Sequence, residues 1–564
     1  MPAAEVIPTI RRYLSFEALF SLVVLATAFT RFYHLNLKLF HHDEAIHAWF
    51  SWELLTKGTY TYDPMYHGPI LYYITAGMFK LFGDSDLVGR LVPALLGVLI
   101  VVLVYFVYRL GYLDQRQSLL AGVLIMLSPD LVYFSRFLRH DIFMLFFTFL
   151  FVVATLYYIE RKKLRFAALM GLAAGLALSC KEEMPLILIL FGAYFLFLIV
   201  RKKVTLPPWK TLARDFGVAI LIAAGVMIVL YSFFGLHVDT LWTGPVKAVE
   251  HWLSMHNQQR LGGPPYFYLL LFGLYEVPIV ILAGASVVSY AVVRLWRGRR
   301  RDRVAAAAAE IDALAGVAPV APAAPKVPVF DRRDEFFKFC LVWMAGTMLM
   351  YAYIGEKVPW LIIQQLLPMC LAATWCLRSK PPKERVVPWR GWKWVTVAFL
   401  LFAIFVPIYG FGLLYTTNHV QFVREDISEP IVQVQNSEDL RGLFADMDAA
   451  NKVVIASQNY WPLPWYYRGD RWNKVQFYGN KIDENSVLSQ NADVVITDSG
   501  DTYASLPGYD KRTIKLNYWF SIYDNQDRLV DYYFKRDGKL GSMNLDVFTR
   551  IGSTGELPSG TTAA

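Results

Sequence analysis

The chain has 564 residues, 56% of them hydrophobic and 16% aromatic, with only 18% charged and a formal net charge of +9. A soluble protein of this length carries about a quarter charged residues, so an ordinary soluble enzyme is excluded and a polytopic membrane protein is indicated. The excess Lys and Arg lie in short clusters between apolar segments, as in cytoplasmic loops, which argues against nucleic acid as a partner.

Residues 13–33 form the first apolar segment. No small-residue cleavage site follows it, so it reads as a retained span and not a signal peptide. Further segments long enough to cross about 30 Å of hydrocarbon occur at 87–109, 117–134, 141–159, 166–180, 184–200, 215–235, 266–293, 336–354, 359–377 and 393–415, about eleven spans in all. The fold class is therefore mainly α.

The stretch "PILYYITAGMFKLFG" (69–83) is different. As a helix it is only about 22 Å long, and it carries Lys80. If it spans, the basic clusters at 161–165, 201–203, 294–303 and 378–385 fall outside. If it lies along the interface, all of them fall inside with Arg11 and Arg12, as the positive-inside rule requires. The second reading sends nearly every charge adjacent to a span to the outer face. Charges at a membrane edge are costly and mark sites.

Residues 297–335, rich in Ala, Pro and Val, read as a cytoplasmic low-complexity linker, partly helical near 303–315. After residue 420 the composition is that of a soluble domain. "SEDLRGLFADMDAA" (437–450) reads as a helix, and "NKVVIASQ" (451–458), "KVQFYG" (474–479) and "ADVVITDSG" (492–500) as strands. This predicts a small outer α/β domain over 420–564, without the GxGxxG turn of a dinucleotide site. Cys180, Cys340, Cys370 and Cys376 have no ligand-like spacing and read as small buried hydrophobes.

Five outer motifs carry the chemistry, and Glu44, His67, Arg136, Arg139, His140, Lys181, Glu182, Glu183, Glu356 and Lys357 in them are expected to bind donor or substrate. "HHDEAIHAWFSWELLTKG" (41–58) places Ile46, Trp49, Phe50 and Leu54 on one face of an interfacial helix that starts with Asp43 and Glu44. Complementing the helix dipole explains one acid there, worth about 0.3–1 kcal/mol. It does not explain His41, His42 and His47 beside it. "YDPMYHGPILYY" supplies His67. "SRFLRHDIF" supplies Arg136, Arg139, His140 and Asp141, with guanidinium forks suited to phosphate or simply to lipid headgroups. "CKEEMP" supplies Lys181, Glu182 and Glu183, and "GEKVPW" supplies Glu356 and Lys357. A hairpin turn needs polarity, so each of these two is ordinary alone. Arg139, Lys181 and Lys357 are expected to meet Asp43 around one cavity that opens sideways to lipid.

In order and content these motifs resemble the N-terminal region of GT-C fold glycosyltransferases over roughly residues 10–200. The nearest group is family 39, with the protein O-mannosyltransferases and the aminoarabinose transferases of lipid A. "GEKVPWL" and "WPLPWYYRGD" (461–470) further resemble the flippase activity-associated protein subgroup. The resemblance implies a membrane transferase acting on the non-cytoplasmic face. Its donor is a polyprenyl-phosphate sugar drawn from membrane lipid, and its acceptor a glycan, lipid or protein. It implies that Asp43, of the first outer-loop Asp–Glu pair, activates the acceptor, and that Asp141 with Arg139 is the second outer-loop aspartate in its R-x-D setting.

Where many relatives read K-P-P-L, this chain reads His67-Gly68-Pro69-Ile70, so Arg136, Arg139, Lys181 or Lys357 is expected to hold the donor phosphate. The expected reaction is one inverting displacement with Asp43 as general base and cations on the leaving phosphate. No cofactor is assigned, although the carboxylates are compatible with a divalent metal. A non-catalytic or transport component of a lipid-linked glycan flippase is the alternative. Against transport, the charges lie at one face and not at the spans' midpoints.

Overall fold

The computed structural model describes residues 15–258, 263–314, 330–355, 357–378, 417–500, 503 and 505–552. The expected span 393–415, the centre of the linker and Glu356 lie outside these residues. In chain order the helices are α1 (Phe16–Phe32), α2 (His42–Lys57), α3 (Ile70–Phe82), α4 (Asp86–Arg109), α5 (Gln115–Leu127), α6 (Pro129–Phe134), α7 (His140–Arg161), α8 (Leu164–Leu178) and α9 (Met184–Val200). They continue as α10 (Trp209–Tyr231), α11 (Thr240–Gln258), α12 (Phe267–Tyr275), α13 (Val277–Leu314), α14 (Arg332–Tyr353) and α15 (Ile362–Ala373).

Among the described residues six helices are long and apolar enough to cross a membrane: α4, α7, α10, the first part of α13 (Val277–Trp296), α14, and the run Pro359–Leu377 that contains α15. Helices α3, α8 and α9 are apolar but shorter. Exposed Leu22, Leu25 and Phe29 on α1 and Ile220 and Leu221 on α10 supply the apolar exterior of a multi-pass membrane protein.

Two expected spans are broken. The segment 117–134 divides at Ser128, whose hydroxyl caps α6 by accepting from Leu131 N, with Pro129 in the first helical position. The segment 266–293 divides at Glu276. That residue is buried at the break, accepting from the Ser128 hydroxyl (2.6 Å) and Asp130 N (3.2 Å). The expected helix at 303–315 is the tail of α13.

The loops read as cytoplasmic converge on one end of the bundle. There Arg332 pairs with Glu160 (2.5 Å), Arg333 with Asp114 (3.2 Å), Lys203 with Glu335 (2.6 Å) and Arg378 with Asp334 (3.0 Å). The residues flanking the other ends of these helices gather around α2 and α3, which pack on each other, and a sheet domain sits against them.

The sheet domain has six strands: β1 (Gln435–Asn436), β2 (Val453–Ala456), β3 (Val475–Phe477), β4 (Val494–Asp498), β5 (Tyr509–Phe520) and β6 (Leu540–Arg550), in the order β1-β5-β6-β4-β2-β3. β2 runs parallel to β3 and β4, and the remaining pairs are antiparallel. The expected helix is α16 (Leu440–Ala449), and its Leu440, Leu443 and Met447 pack on Val453, Ile455 and Ile496. The long β5–β6 pair has no counterpart in the sequence reading.

"WPLPWYYRGD" is what seats this domain. The Trp465 indole lies 5.5 Å from each of Phe40 and Phe79. Its Nε1–H donates to Asp86 Oδ1 (2.8 Å), the Tyr466 hydroxyl donates to Asp86 Oδ2 (2.7 Å), and Arg468 pairs with Asp84 (2.6 Å).

Candidate functional site

Helix α2 opens with a capping box built on a histidine. His41 Nδ1 accepts from Asp43 N (3.0 Å), and Glu44 Oε2 accepts in return from His41 N (2.9 Å). The His41 Nε2–H donates to Gln433 O in the sheet domain. Burial pushes His41 well below the usual imidazole range, consistent with a neutral ring that accepts at one nitrogen and donates at the other. His47 is likewise pushed down, to about 3, chiefly by burial. Its Nδ1 shares a hydrogen bond with the Tyr72 hydroxyl (2.9 Å). His41 and His47 thus build structure.

Glu44 is fully buried. Arg90 contacts both of its oxygens, Nε to Oε1 at 2.8 Å and Nη2 to Oε2 at 2.5 Å, and Leu138 N donates to Oε1 (2.9 Å). With the His41 bond, every favourable acceptor direction is occupied. Expected to bind substrate, Glu44 is instead the pin that fixes α2 to α4 and to the chain entering α7.

Asp43 points the other way and pairs with Arg139, which also donates from Nε to Asp141 Oδ2 (3.1 Å). Lys181 Nζ donates to Asp141 Oδ1 (2.9 Å) and lies 3.2 Å from Glu183 Oε1. The result is a chain of alternating charge, Asp43–Arg139–Asp141–Lys181–Glu183, drawn from α2, the start of α7 and the α8–α9 turn. The side chains of Asp141 and Lys181 are 3% and 4% exposed, whereas Asp43 is 27% exposed. Burial would lower the Lys181 pKa, but the Asp141 and Glu183 carboxylates outweigh it and leave it raised. The Arg139 guanidinium lies 3.6 Å from the centre of the Trp360 ring, which holds its plane.

A second pair flanks this chain. His67 Nδ1 meets Glu182 Oε2 at 3.0 Å, and the Tyr62 hydroxyl donates to Glu182 Oε1 (3.1 Å). The loop is held there by backbone contact: Gly68 N donates to Cys180 O (2.9 Å) and Ile70 N to Ser179 O (3.2 Å). A Cβ on Gly68 would stand 2.2 Å from Ser179 O. The glycine in "HGPI" is therefore required by close approach. His140 is buried behind it, with Nε2 on Gly68 O (2.9 Å).

Two predicted phosphate ligands are engaged elsewhere. Arg136 donates to the carbonyls of Thr30, Arg31, Tyr33 and His34 at the end of α1. Lys357 Nζ donates to the carbonyls of Tyr351 (2.9 Å), Ala352 (3.0 Å) and Ile354 at the end of α14. Of the expected convergence on Asp43, Arg139 and Lys181 arrive and Lys357 does not. What "GEKVPW" brings to the site is Trp360. Sequence reasoning missed both Trp360 and Arg90. Among the described residues no group of three or more His, Cys, Asp or Glu is arranged to hold a metal ion.

Residues 66–233 match the family described as dolichyl-phosphate-mannose-protein mannosyltransferase. The lipid A galacturonosyltransferase RgtD of Rhizobium johnstonii is 27% identical over 287 residues, which cover 50% of this chain and 55% of that protein. The match thus spans about half the length of the curated relative. The whole chain superposes on ArnT of Cupriavidus metallidurans bound to undecaprenyl phosphate, with a TM-score of 0.55 at 14% identity, covering 99% of this chain and 100% of that one. The apo state of ArnT gives the same values. The chain has the GT-C glycosyltransferase fold. In GT-C terms, the matched family region holds the His67–Glu182 pair and the Arg139–Asp141–Lys181 cluster, while Asp43 lies just before it.

Proposed function

We propose that this protein is a membrane glycosyltransferase that moves a hexosyl or pentosyl group from a polyprenyl-phosphate donor to an acceptor hydroxyl on the non-cytoplasmic face. The observation that carries the reading is the contrast along one charge chain: Asp43 keeps its most accessible carboxylate, and Arg139 joins it to a buried Asp141–Lys181 pair. The names of its relatives support lipid-linked sugar chemistry. The orientation is supported by the gathering of the basic loops at the end opposite the site.

In the proposed reaction the acceptor oxygen forms a bond to the anomeric carbon as the bond from that carbon to the phosphate oxygen breaks. The electron pair leaves with the phosphate, giving polyprenyl phosphate, and the acceptor proton passes to Asp43. One displacement inverts the anomeric centre. Arg139 couples the two halves. As its N–H groups turn toward the phosphate, Asp43 loses its counter-charge and becomes more basic, while Arg139 and Lys181 stabilise the charge growing on the leaving group. General-base assistance contributes about 10²–10⁴-fold.

Asp43→Asn keeps the shape and removes the basic oxygen. Turnover of a radiolabelled polyprenyl-phosphate sugar by the membrane-reconstituted variant should fall by that factor, with the folded, inserted protein retained. Normal turnover would reduce Asp43 to a helix-end acid.

A further inference from the structure

A cavity of about 320 Å³ lies between the sheet domain and the start of α2. Its membrane-side wall includes His42, the residue preceding Asp43, and Trp461, Trp519, Gln458, Asn459 and Asn517 come from the sheet domain. Its walls contain no Asp, Glu, Lys or Arg. Across Gln458 and Asn459 it adjoins a second, more polar cavity of about 490 Å³, which Lys481 and Asp498 also line. Both are within the size range of small-molecule sites.

The composition selects a ligand class. A sugar ring has an apolar C–H face and a rim of hydroxyls that both donate and accept. It is recognised by partly exposed indoles and by amides, which also donate and accept. Trp461 supplies one platform, stacked on Tyr460 (5.8 Å) and set edge-on to Trp49 of α2 (5.7 Å). Trp519 supplies another through a local feature of β5–β6. Its cross-strand partner is Gly541, where a Cβ would stand 2.5 Å from the indole Nε1. Only a glycine lets the indole lie across β6.

The second, independent sign is Asn517. It is 2% exposed and lines the cavity, yet its Oδ1 is buried without a hydrogen-bond partner among the described residues. Such an atom costs about 1–3 kcal/mol unless something occupies it. It sits at the register shift between Lys515 and Asn517, and bulges of this kind re-aim side chains beside sites.

We propose that this interdomain cavity binds a neutral saccharide, the sugar portion of the acceptor, and delivers its hydroxyl to Asp43. The proposal rests on the transferase reading for the delivery step but not for binding itself.

The test uses the full chain in nanodiscs with mannotriose, maltotriose and chitotriose as probes and trigalacturonate as the charged comparison. Saturation-transfer NMR should pass magnetisation from aromatic ring protons to the C–H protons of at least one neutral trisaccharide. Trp519→Ala and Gly541→Ala should each weaken that binding about tenfold, equivalent to one anchoring contact of about 1.4 kcal/mol. Trp519→Phe should largely retain it. Transfer to none of the neutral probes, or binding of trigalacturonate alone, would overturn the assignment without needing any variant. Unchanged affinity in both Trp519→Ala and Gly541→Ala would also overturn it, by placing the sugar elsewhere. Because binding is read without turnover, failure here leaves the transferase reading intact, and normal turnover by Asp43→Asn leaves the binding result intact.

Discussion

Glu44 meets Arg90 in the buried interior, whereas Asp43 meets Arg139 where its carboxylate is partly exposed, although the two carboxylates are adjacent in sequence. The Glu44 side chain is 1% exposed and accepts from two guanidinium nitrogens and two backbone amides. Asp43 is 27% exposed and has a partner that also serves Asp141. A carboxylate whose acceptors are saturated inside the fold has nothing left to offer a substrate. One with an open oxygen and a shared counter-ion is poised to exchange partners. The saturation of each oxygen, more than residue type or position, separates scaffold from chemistry here.

The largest effect should come from the closed pocket. Glu44→Ala leaves Arg90 buried without its counter-charge, a loss of about 3–5 kcal/mol, read as a collapse of thermal stability in detergent. Asp43→Ala should stay within about 1 kcal/mol of the parent, as expected for a partly exposed pair. Equal stability losses would erase the distinction between the two carboxylates.

Arg139→Lys should come next. An ammonium cannot bridge Asp43 and Asp141 as the guanidinium fork does, so affinity for polyprenyl phosphate should fall about tenfold, near the 1–3 kcal/mol of a lost charged hydrogen bond. An unchanged affinity in a lipid-binding titration would assign the phosphate to other groups.

A smaller effect concerns pH. Burial alone would lower the His67 pKa, but the Glu182 carboxylate and its hydrogen bond outweigh burial and leave it raised above 6.5. Burial alone would raise Glu182, but His67 leaves it below 4.5. The histidine's contribution is complete below 6.5 and fades as pH rises through its raised value. The glutamate's is complete above 4.5 and fades as pH falls through its lowered value. Melting temperature should therefore decline on the alkaline side of 6.5, and His67→Gln should flatten that decline. A parallel decline in the variant would remove this pair from the account.

The smallest effect is Lys357→Met. Its ammonium caps α14, so the loss should be about 1 kcal/mol of stability with donor affinity unchanged. A loss of donor binding would bring Lys357 back into the site.

The helical segments were legible because a membrane leaves the backbone few alternatives and 56% hydrophobic composition shows where they lie. The meeting of Asp43, Arg139, Asp141 and Lys181 was legible from charge types placed at one membrane edge. The fates of Arg136, Lys357 and Glu44 were not. Each satisfies a carbonyl, amide or guanidinium of its own fold, and sequence does not display those partners. Arg90 left a usable trace: a guanidinium one turn into an apolar helix requires a buried acid. β5 escaped because its first residues, Tyr509 to Thr513, are mostly exposed and charged, and the alternation becomes clear only afterwards.

The seating of Trp465 and Tyr466 on Asp86 has a consequence for how the protein comes into being. His42 lines one side of the interdomain cavity and Trp49 supports its Trp461, while the opposing wall is drawn from residues 433–543. Chains are made from the N-terminus onward, and domains fold as units during synthesis. Asp43, Arg139 and Lys181 are thus all synthesised before the far wall, while His41 beside Asp43 still awaits its partner Gln433. The nascent chain holds half a cleft, completed only when the last domain folds and its tryptophan finds the gap between Phe40 and Phe79. Until that domain folds, the binding cavity proposed above has only one of its walls.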